Sequence, residues 1–125
     1  MGFITFLSLM ISGMLIYEVG KFHEPDLNRY NFIENYLSDL GRVYTYSGVL
    51  NNVSKTLFEV AMFVAAFMII ALYTFYFRIF RSIENKSKLG FAGSIVGLVS
   101  TLSCISVGLV SIDVHVTLHR VCAFF

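Results

Sequence analysis

Charged residues are scarce in this chain. Only 14% of its 125 residues are Asp, Glu, Lys or Arg, whereas soluble domains carry about a quarter. The formal net charge is +1 and no dense basic stripe is present, so the composition argues against a nucleic-acid partner. The sequence also lacks the glycine-rich phosphate loop and the GxSxG elbow that mark two common enzyme classes.

Cysteine and proline are also rare. Cys104 and Cys122 lie in separate apolar runs without CxxC spacing, which indicates small helix residues rather than a disulfide framework. The single proline, Pro25, lies in a polar stretch. Many transporters have spans interrupted by paired Gly and Pro residues. Because such interruptions are missing, a transporter fragment is kept only as the second alternative function.

Long apolar runs dominate the chain, which is 57% hydrophobic with a mean hydropathy of +0.75. A helix needs roughly 20 apolar residues to cross a bilayer, and the segments 3–19, 57–80 and 89–112 approach or exceed that length. A fourth apolar stretch, 114–125, is too short. We expect that the chain is a piece of a longer protein in which this stretch continues. The alternative is that the stretch forms a half-inserted helix. The sequence predicts one all-α domain, 1–125, a polytopic transmembrane helical bundle with three full spans and the start of a fourth.

The connection between the second and third spans sets the expected sidedness. It carries four basic residues against one acidic residue: Arg78, Arg81, Lys86 and Lys88 against Glu84. Short loops rich in Lys and Arg stay in the cytoplasm. We therefore expect a multi-pass protein of the cell membrane with a cytoplasmic N-terminus, with Lys86 inside, and with Asn52 and the loop 20–56 outside.

The outer loop contains a helical pattern. Apolar residues recur at spacings of three and four, at Leu27, Tyr30, Ile33, Leu37 and Leu40. Asp26 precedes the pattern as an N-cap, and Gly41 follows it as a terminator. These signals predict an interfacial helix from about 27 to 40 that lies along the membrane surface.

Small residues recur along one face of the third span. They are Gly93, Gly97, Ser100, Cys104 and Gly108, and the first two form a GxxxG pair. Helix backbones approach closely where side chains are small. We expect this face to pack within the bundle, with formation of a homo-oligomer as the alternative.

Two polar clusters fall on the same predicted side of the membrane. The segment NYLSDLGR covers 35–42, and DVHVTLH covers 113–119. The simpler interpretation of Ser38 and Asp39 is hydrogen bonding to free backbone groups at a helix end. The functional interpretation is an outer polar pocket that contains Ser38, Asp39, Arg42, Glu59, Asp113, His115 and His119.

The histidines of the second cluster have metal-ligand spacing. His115 and His119 lie at i and i+4, on one helix face. Such a pair holds zinc when a third ligand arrives, and the candidates are Asp39, Asp113 and His23. The alternative is a pair of interfacial histidines with hydrogen-bond partners in the bundle, and we expect no cofactor.

The sidedness also predicts a specific contact. We expect the turn Ser38–Gly41 to pack against the start of the fourth helix. Asp39 should then lie within hydrogen-bonding or water-bridged reach of His119 or His115, because a carboxylate and an imidazole stabilise each other's charged forms.

Short motifs along the chain carry a family resemblance. They are Ser38, Asp39, Leu40 and Gly41 in the loop, Asn51 or Asn52 and Phe58 at the second span, and His119, Ala123 and Phe124 in the fourth. With them the chain resembles the archaeal and bacterial membrane family called domain of unknown function 998. It is similar, less closely, to the DRAM and FGF-receptor-activating-protein group, whose loop reads SDTG. The resemblance implies about six spans, and hence a truncated chain, but no activity.

These observations favour a non-enzymatic protein. We expect a small integral membrane protein that binds through its outer pocket. Membrane lipids, another membrane protein or a second copy of the chain are the expected partners, and nucleic acid is not. The first alternative is a membrane-embedded, metal-dependent hydrolase that acts on lipids through His115, His119 and Asp39.

Overall fold

The computed structural model is built from helices, and it describes residues 1–17, 30–82 and 87–124. Four α-helices and one 3₁₀ turn follow in the order α1 (Gly2–Ile16), the 3₁₀ turn (Leu37–Gly41), α2 (Asn52–Ser82), α3 (Ser87–Leu109) and α4 (Val116–Phe124). Extended pairing among the described residues is limited to one isolated bridge, between Tyr44 and Leu50. The predicted all-α class is therefore confirmed.

The central helix is α2, which packs against α1 and against α3. Gly2 at the start of α1 lies beside Met68, and Gly13 near its end lies beside Ser54, so α1 runs antiparallel to the first half of α2. α3 returns antiparallel to α2, and α4 packs against α3. The end of α1, the start of α2, the end of α3 and the start of α4 therefore meet at one end of the bundle, which we call the loop end.

Two described helices are long and apolar enough to cross a membrane: α2 and residues 88–109 of α3. In their most apolar windows only 11% and 17% of the residues are buried. A core helix of a soluble protein would be mostly buried, so these exposed apolar faces suit lipid better. α1 has 15 residues, fewer than the roughly 20 that a span needs, and the predicted span 3–19 continues beyond the described residues. Three full spans therefore stay a prediction.

The fourth apolar segment begins later than predicted. Instead of a run from 114, α4 begins at Val116 because residues 110–115 form a turn. In that turn the N–H groups of Val114 and His115 both donate to the carbonyl of Ser111, at 3.2 and 3.1 Å. The turn brings the side chains of Ser111 and Asp113 to the loop between α1 and α2. This loop keeps the name outer loop from its predicted side of the membrane.

The predicted interfacial helix from about 27 to 40 is wrong in the part that the structure describes. Residues 30–36 form a turn that contains one helical backbone bond, from the N–H of Asn35 to the carbonyl of Asn31 at 2.8 Å, together with bonds to asparagine side chains. Oδ1 of Asn31 accepts from the N–H of Ile33 at 3.0 Å, and Oδ1 of Asn35 accepts from the N–H of Asn31 at 2.9 Å. Asparagine competes with the helix in this way because its short side chain reaches nearby backbone groups.

Only the last residues of the predicted helix are helical, as the 3₁₀ turn. Asp39 lies in the first turn of this element rather than in the last turn of a longer helix, and its Oδ2 accepts the N–H of Tyr36 at 2.8 Å. Gly41 ends the element without a positive φ; Gly48 alone has one among the described glycines. A Cβ on Gly41 would lie 2.5 Å from Cδ1 of Phe58, so glycine serves close packing here.

A tight turn reverses the chain before α2. The N–H of Gly48 donates to the carbonyl of Thr45 at 3.0 Å, and the N–H of Asn51 donates to that of Val43 at 2.9 Å. Gly48 has a φ of 82°, a region that glycine enters without steric cost. The reversal returns Asn51 to the 3₁₀ turn just as α2 begins.

Glycines bring α3 close to α2. An added Cβ at Gly97 would lie 2.2 Å from the ring of Tyr73, and at Gly90 and Gly108 it would lie 2.9 and 3.0 Å from α2 side chains. At Gly93 it would meet no described atom within 4 Å. The predicted GxxxG pair is therefore not a packing pair, since Gly90 rather than Gly93 lies on the face that meets α2. Three members of the predicted face are half-buried: Gly93, Ser100 and Cys104.

We expect Gly97→Ala to destabilise the protein. Its methyl group would overlap the ring of Tyr73, and overpacking costs about 1–3 kcal/mol, more than the roughly 1 kcal/mol that alanine gains over glycine in a helix. The matched variant Gly93→Ala adds the same methyl in open space and should be neutral or stabilising. Unfolding midpoints in detergent measure both effects, and equal midpoints would contradict this packing of α2 and α3.

Candidate functional site

A buried carboxylate lies at the loop end. Asp39 is only 1% exposed. Its Oδ1 accepts a hydrogen bond from the Tyr46 hydroxyl at 3.0 Å, and its Oδ2 accepts from the N–H of Tyr36 at 2.8 Å and from Nδ2 of Asn35 at 3.3 Å. These donors replace the water that a buried carboxylate would otherwise need. Asp39 therefore organises the outer loop around itself.

The described residues contain no hydrogen bond between Asp39 and His119 or His115, so the direct form of the predicted contact is wrong. His119 is buried, and its Nδ1 lies 2.5 Å from the carbonyl oxygen of Val110. His115 is exposed, and the hydrogen bonds of Asp39 come from donors of the outer loop. The turn 110–115 explains the difference, because it leads α4 away so that the ring of His119 meets the end of α3.

The 3₁₀ turn nevertheless contacts the residues that lead into α4, as predicted for the turn Ser38–Gly41. The hydroxyl of Ser111 lies 2.5 Å from the carbonyl oxygen of Gly41 and 2.6 Å from Oδ1 of Asp113, so its one proton lies between two acceptors. Asp113 also accepts the N–H of Val43 at 3.1 Å and the N–H of Tyr44 at 2.9 Å. We call these bonds of Asp113 to Val43 and Tyr44 the carboxylate tie.

Two residues outside the predicted pocket complete this junction. Nδ2 of Asn51 donates to the carbonyls of Leu40 at 2.9 Å and Arg42 at 3.1 Å, and Oγ of Ser54 donates to the carbonyl of Leu40 at 3.4 Å. Both side chains are buried, and they satisfy carbonyls that the short 3₁₀ turn leaves open. The motifs pointed to Asn51 or Asn52, and the structure gives the role to Asn51. Nothing in the sequence spacing singled out Ser54.

Two predicted pocket residues, Arg42 and Glu59, bind other groups. Nε of Arg42 donates to the carbonyl of Tyr44 at 3.0 Å, and its Cζ lies 4.1 Å from the ring centroid of Tyr46, a cation–π contact. The guanidinium of Arg42 therefore contacts Tyr46, and the hydroxyl of Tyr46 in turn donates to the carboxylate of Asp39. Glu59 pairs with Lys55, one turn away on α2.

Two tyrosines near the buried carboxylate keep their protons. Burial, and then the charge of Asp39, raises the pKa of Tyr46 and of Tyr30 to about 12. These two phenols therefore act as neutral groups around Asp39 across the ordinary pH range. The hydroxyl of a third tyrosine, Tyr17, is buried and has no hydrogen-bond partner in the described part of the chain.

The carboxylate tie stabilises the ionised form of Asp113. Burial alone would raise the pKa of this carboxyl, but hydrogen bonds from Ser111, Tyr44 and Val43 outweigh burial and lower the pKa. Because the folded pKa lies below the unfolded one, the tie contributes its full stability above the unfolded pKa. That contribution is lost as the pH falls through the lowered folded pKa.

The predicted zinc ligands lie apart. Across residues 1–17, 30–82 and 87–124, no three His, Cys, Asp or Glu side chains are close enough to share a metal ion. Nδ1 of His119 faces a backbone carbonyl, and His115 is exposed. The third candidate His23 and the predicted N-cap Asp26 lie outside the described residues.

A cavity of about 480 Å³ opens between the 3₁₀ turn, α2 and α4. Its lining residues with polar groups are Tyr36, Ser38, His119 and Arg120. Its apolar walls include Phe58, Met62, Val107 and Ala123. Ser38 and His119 were predicted pocket residues, whereas Arg120 was missed because it belongs to no motif and only the start of α4 places it here. We call this space the amphipathic cavity.

We expect Asp113→Asn to lower the free energy of unfolding by about 1–3 kcal/mol, because hydrogen bonds to charged groups contribute about that much and an amide offers only one oxygen to two N–H groups. Wild-type stability should also fall as the pH drops from neutral to below the ordinary carboxyl pKa of about 4, and the variant should lack this part of the pH dependence. The control Glu59→Gln removes an ion pair within one helix. Identical pH profiles of chemical unfolding for wild type and Asp113→Asn would contradict the tie.

Comparison with known proteins bears on the motifs that build this junction. The family model described as Frag1/DRAM/Sfk1/Cwh43P N-terminal domain matches residues 3–125. No curated protein and no solved structure matches the chain. The resemblance to the DRAM and FGF-receptor-activating-protein group is thereby confirmed. No comparison shows the predicted resemblance to domain of unknown function 998. The chain belongs to the Frag1/DRAM/Sfk1 family, which is membrane-associated.

Proposed function

We propose that the protein is a polytopic membrane protein that binds a phospholipid in the amphipathic cavity. The observation that carries the proposal is the division of the cavity lining into a few polar side chains and several apolar ones within about 480 Å³. Binding sites for small molecules have this size and this composition. A phospholipid has the same division, since its polar headgroup adjoins apolar chains.

The position of the cavity supports a lipid ligand. Phe58 and Met62 place its apolar wall on α2, which is long and apolar enough to span a membrane. Its polar residues come from the 3₁₀ turn and from α4, both at the loop end. A lipid with its headgroup at the loop end would therefore lay its chains along the apolar surface of α2, in the direction of the bilayer.

The loop end is proposed to face outward, with the N-terminus in the cytoplasm. The support is the basic connection at 78–88, which joins α2 to α3 at the opposite end of the bundle. Arg120 lies one turn inside α4, where a long cationic side chain extends to the headgroup region. The amphipathic cavity would then open to the outer leaflet of the cell membrane.

Filling the cavity tests the proposal. We expect Ala123→Phe to lower the amount of phospholipid that stays bound to the purified protein by at least about fivefold, which corresponds to about 1 kcal/mol of lost binding. The matched variant Val121→Phe adds a ring to the exposed face of α4 near His115 and should bind lipid as wild type does. Native mass spectrometry from detergent measures retention, and circular dichroism checks the fold. Equal retention in folded Ala123→Phe and Val121→Phe would contradict the proposal.

A further inference from the structure

The hydrogen-bonding capacity of the amphipathic cavity differs from one polar residue to the next. His119 is buried, and its Nδ1 lies 2.5 Å from the carbonyl oxygen of Val110. Because a carbonyl only accepts, Nδ1 must carry the hydrogen, and Nε2 of the neutral ring then presents a lone pair. The imidazole therefore offers an acceptor to a ligand that can donate.

Arg120 offers the opposite capacity. It is exposed, lines the cavity, and has no hydrogen-bond or ion-pair partner among the described residues. Two other described cations near the loop end are engaged, since Arg42 bonds to a carbonyl and covers the ring of Tyr46, while Lys55 pairs with Glu59. A guanidinium binds phosphate well because its planar N–H groups match two phosphate oxygens.

The described residues that line the cavity include no carboxylate that would compete for that phosphate. Asp39 and Asp113 are not among its lining residues, and both direct their oxygens at N–H and hydroxyl donors of the protein. Ser38 and Tyr36 also line the cavity, beside the imidazole of His119 and the guanidinium of Arg120, and the hydroxyl of each either donates or accepts. The cavity therefore presents one cation, one lone pair and two hydroxyls to its ligand.

We infer that the cavity selects a headgroup in which a phosphate adjoins a proton donor, either a hydroxyl or an ammonium group with N–H. This inference rests on the proposed lipid binding and specifies its headgroup. The phosphate binds Arg120, and the donor binds Nε2 of His119. Phosphatidylglycerol and phosphatidylethanolamine satisfy both requirements. Phosphatidylcholine satisfies only the first, because its quaternary ammonium has no N–H, and diacylglycerol lacks the phosphate.

Competition among four dioleoyl lipids tests the inference on the full chain in detergent. Phosphatidylglycerol, phosphatidylethanolamine, phosphatidylcholine and diacylglycerol are added in equal amounts, and native mass spectrometry quantifies each bound lipid, with Ala123→Phe as the blank. We expect the first two to exceed phosphatidylcholine by about fivefold, the effect of one ordinary hydrogen bond. Diacylglycerol should bind least.

Two variants assign the preferences to residues. Arg120→Gln, at an exposed position, should reduce all three phospholipids to the level of diacylglycerol, while Lys55→Gln at the same end should change nothing. His119→Asn keeps an N–H donor where Nδ1 stands and removes the acceptor at Nε2, so it should erase the preference over phosphatidylcholine without loss of phosphate binding.

The outcomes separate the two proposals. Binding of every lipid at the level of the blank would overturn the proposed function together with this inference. Binding that depends on Arg120 but is equal for phosphatidylcholine and the two donor lipids would overturn the headgroup inference alone. If His119→Asn does not fold, the wild-type preference and the Arg120→Gln result still decide between these outcomes.

Discussion

The loop end is held together by the carboxylate of Asp113. It accepts the N–H groups of Val43 and Tyr44, 70 and 69 residues earlier in the chain, while the hydroxyl of Ser111 meets the carbonyl of Gly41. Backbone groups outside regular helices need partners wherever water is scarce, and this part of the outer loop finds them in the turn before α4. Because the 3₁₀ turn and α4 form facing walls of the amphipathic cavity, the tie also fixes the shape of that cavity.

The residues that carry the family resemblance mostly build this junction. Asp39 gathers the donors of the outer loop, Leu40 is fully buried, and Gly41 allows the ring of Phe58 to approach the backbone. Nδ2 of Asn51 donates to the carbonyls of Leu40 and Arg42. Their chemistry is structural, since they hold a wall in place. Two other residues of the resemblance, Ser38 and His119, line the cavity instead, together with Tyr36 and Arg120.

The long apolar helices were predictable because length and apolarity are local properties. α2 covers the predicted segment 57–80, whereas α3 ends at Leu109, three residues before the predicted end of the segment 89–112. The interfacial helix was not, because the side-chain bonds of Asn31 and Asn35 compete with helical bonds and leave the apolar spacing unchanged. The predicted sidedness placed the two polar clusters at the same end of the bundle, but it did not predict which of their side chains bond to each other. Asp113, not Asp39, makes the long-range bonds, since the turn at 110–115 decides which side chain faces the loop. The packing face of α3 likewise depends on where α2 lies, which spacing alone does not show.

Hydrogen exchange at single amides tests most directly whether Asp113 holds the loop end. If it does, the N–H groups of Val43 and Tyr44 are protected in the wild-type protein and exchange much faster in Asp113→Ala. The N–H of Tyr36, which Asp39 binds, should keep its protection in the same variant and serves as the internal control. Rapid exchange of Val43 and Tyr44 in the wild-type protein, or unchanged protection of both in Asp113→Ala, would contradict the central role of this carboxylate.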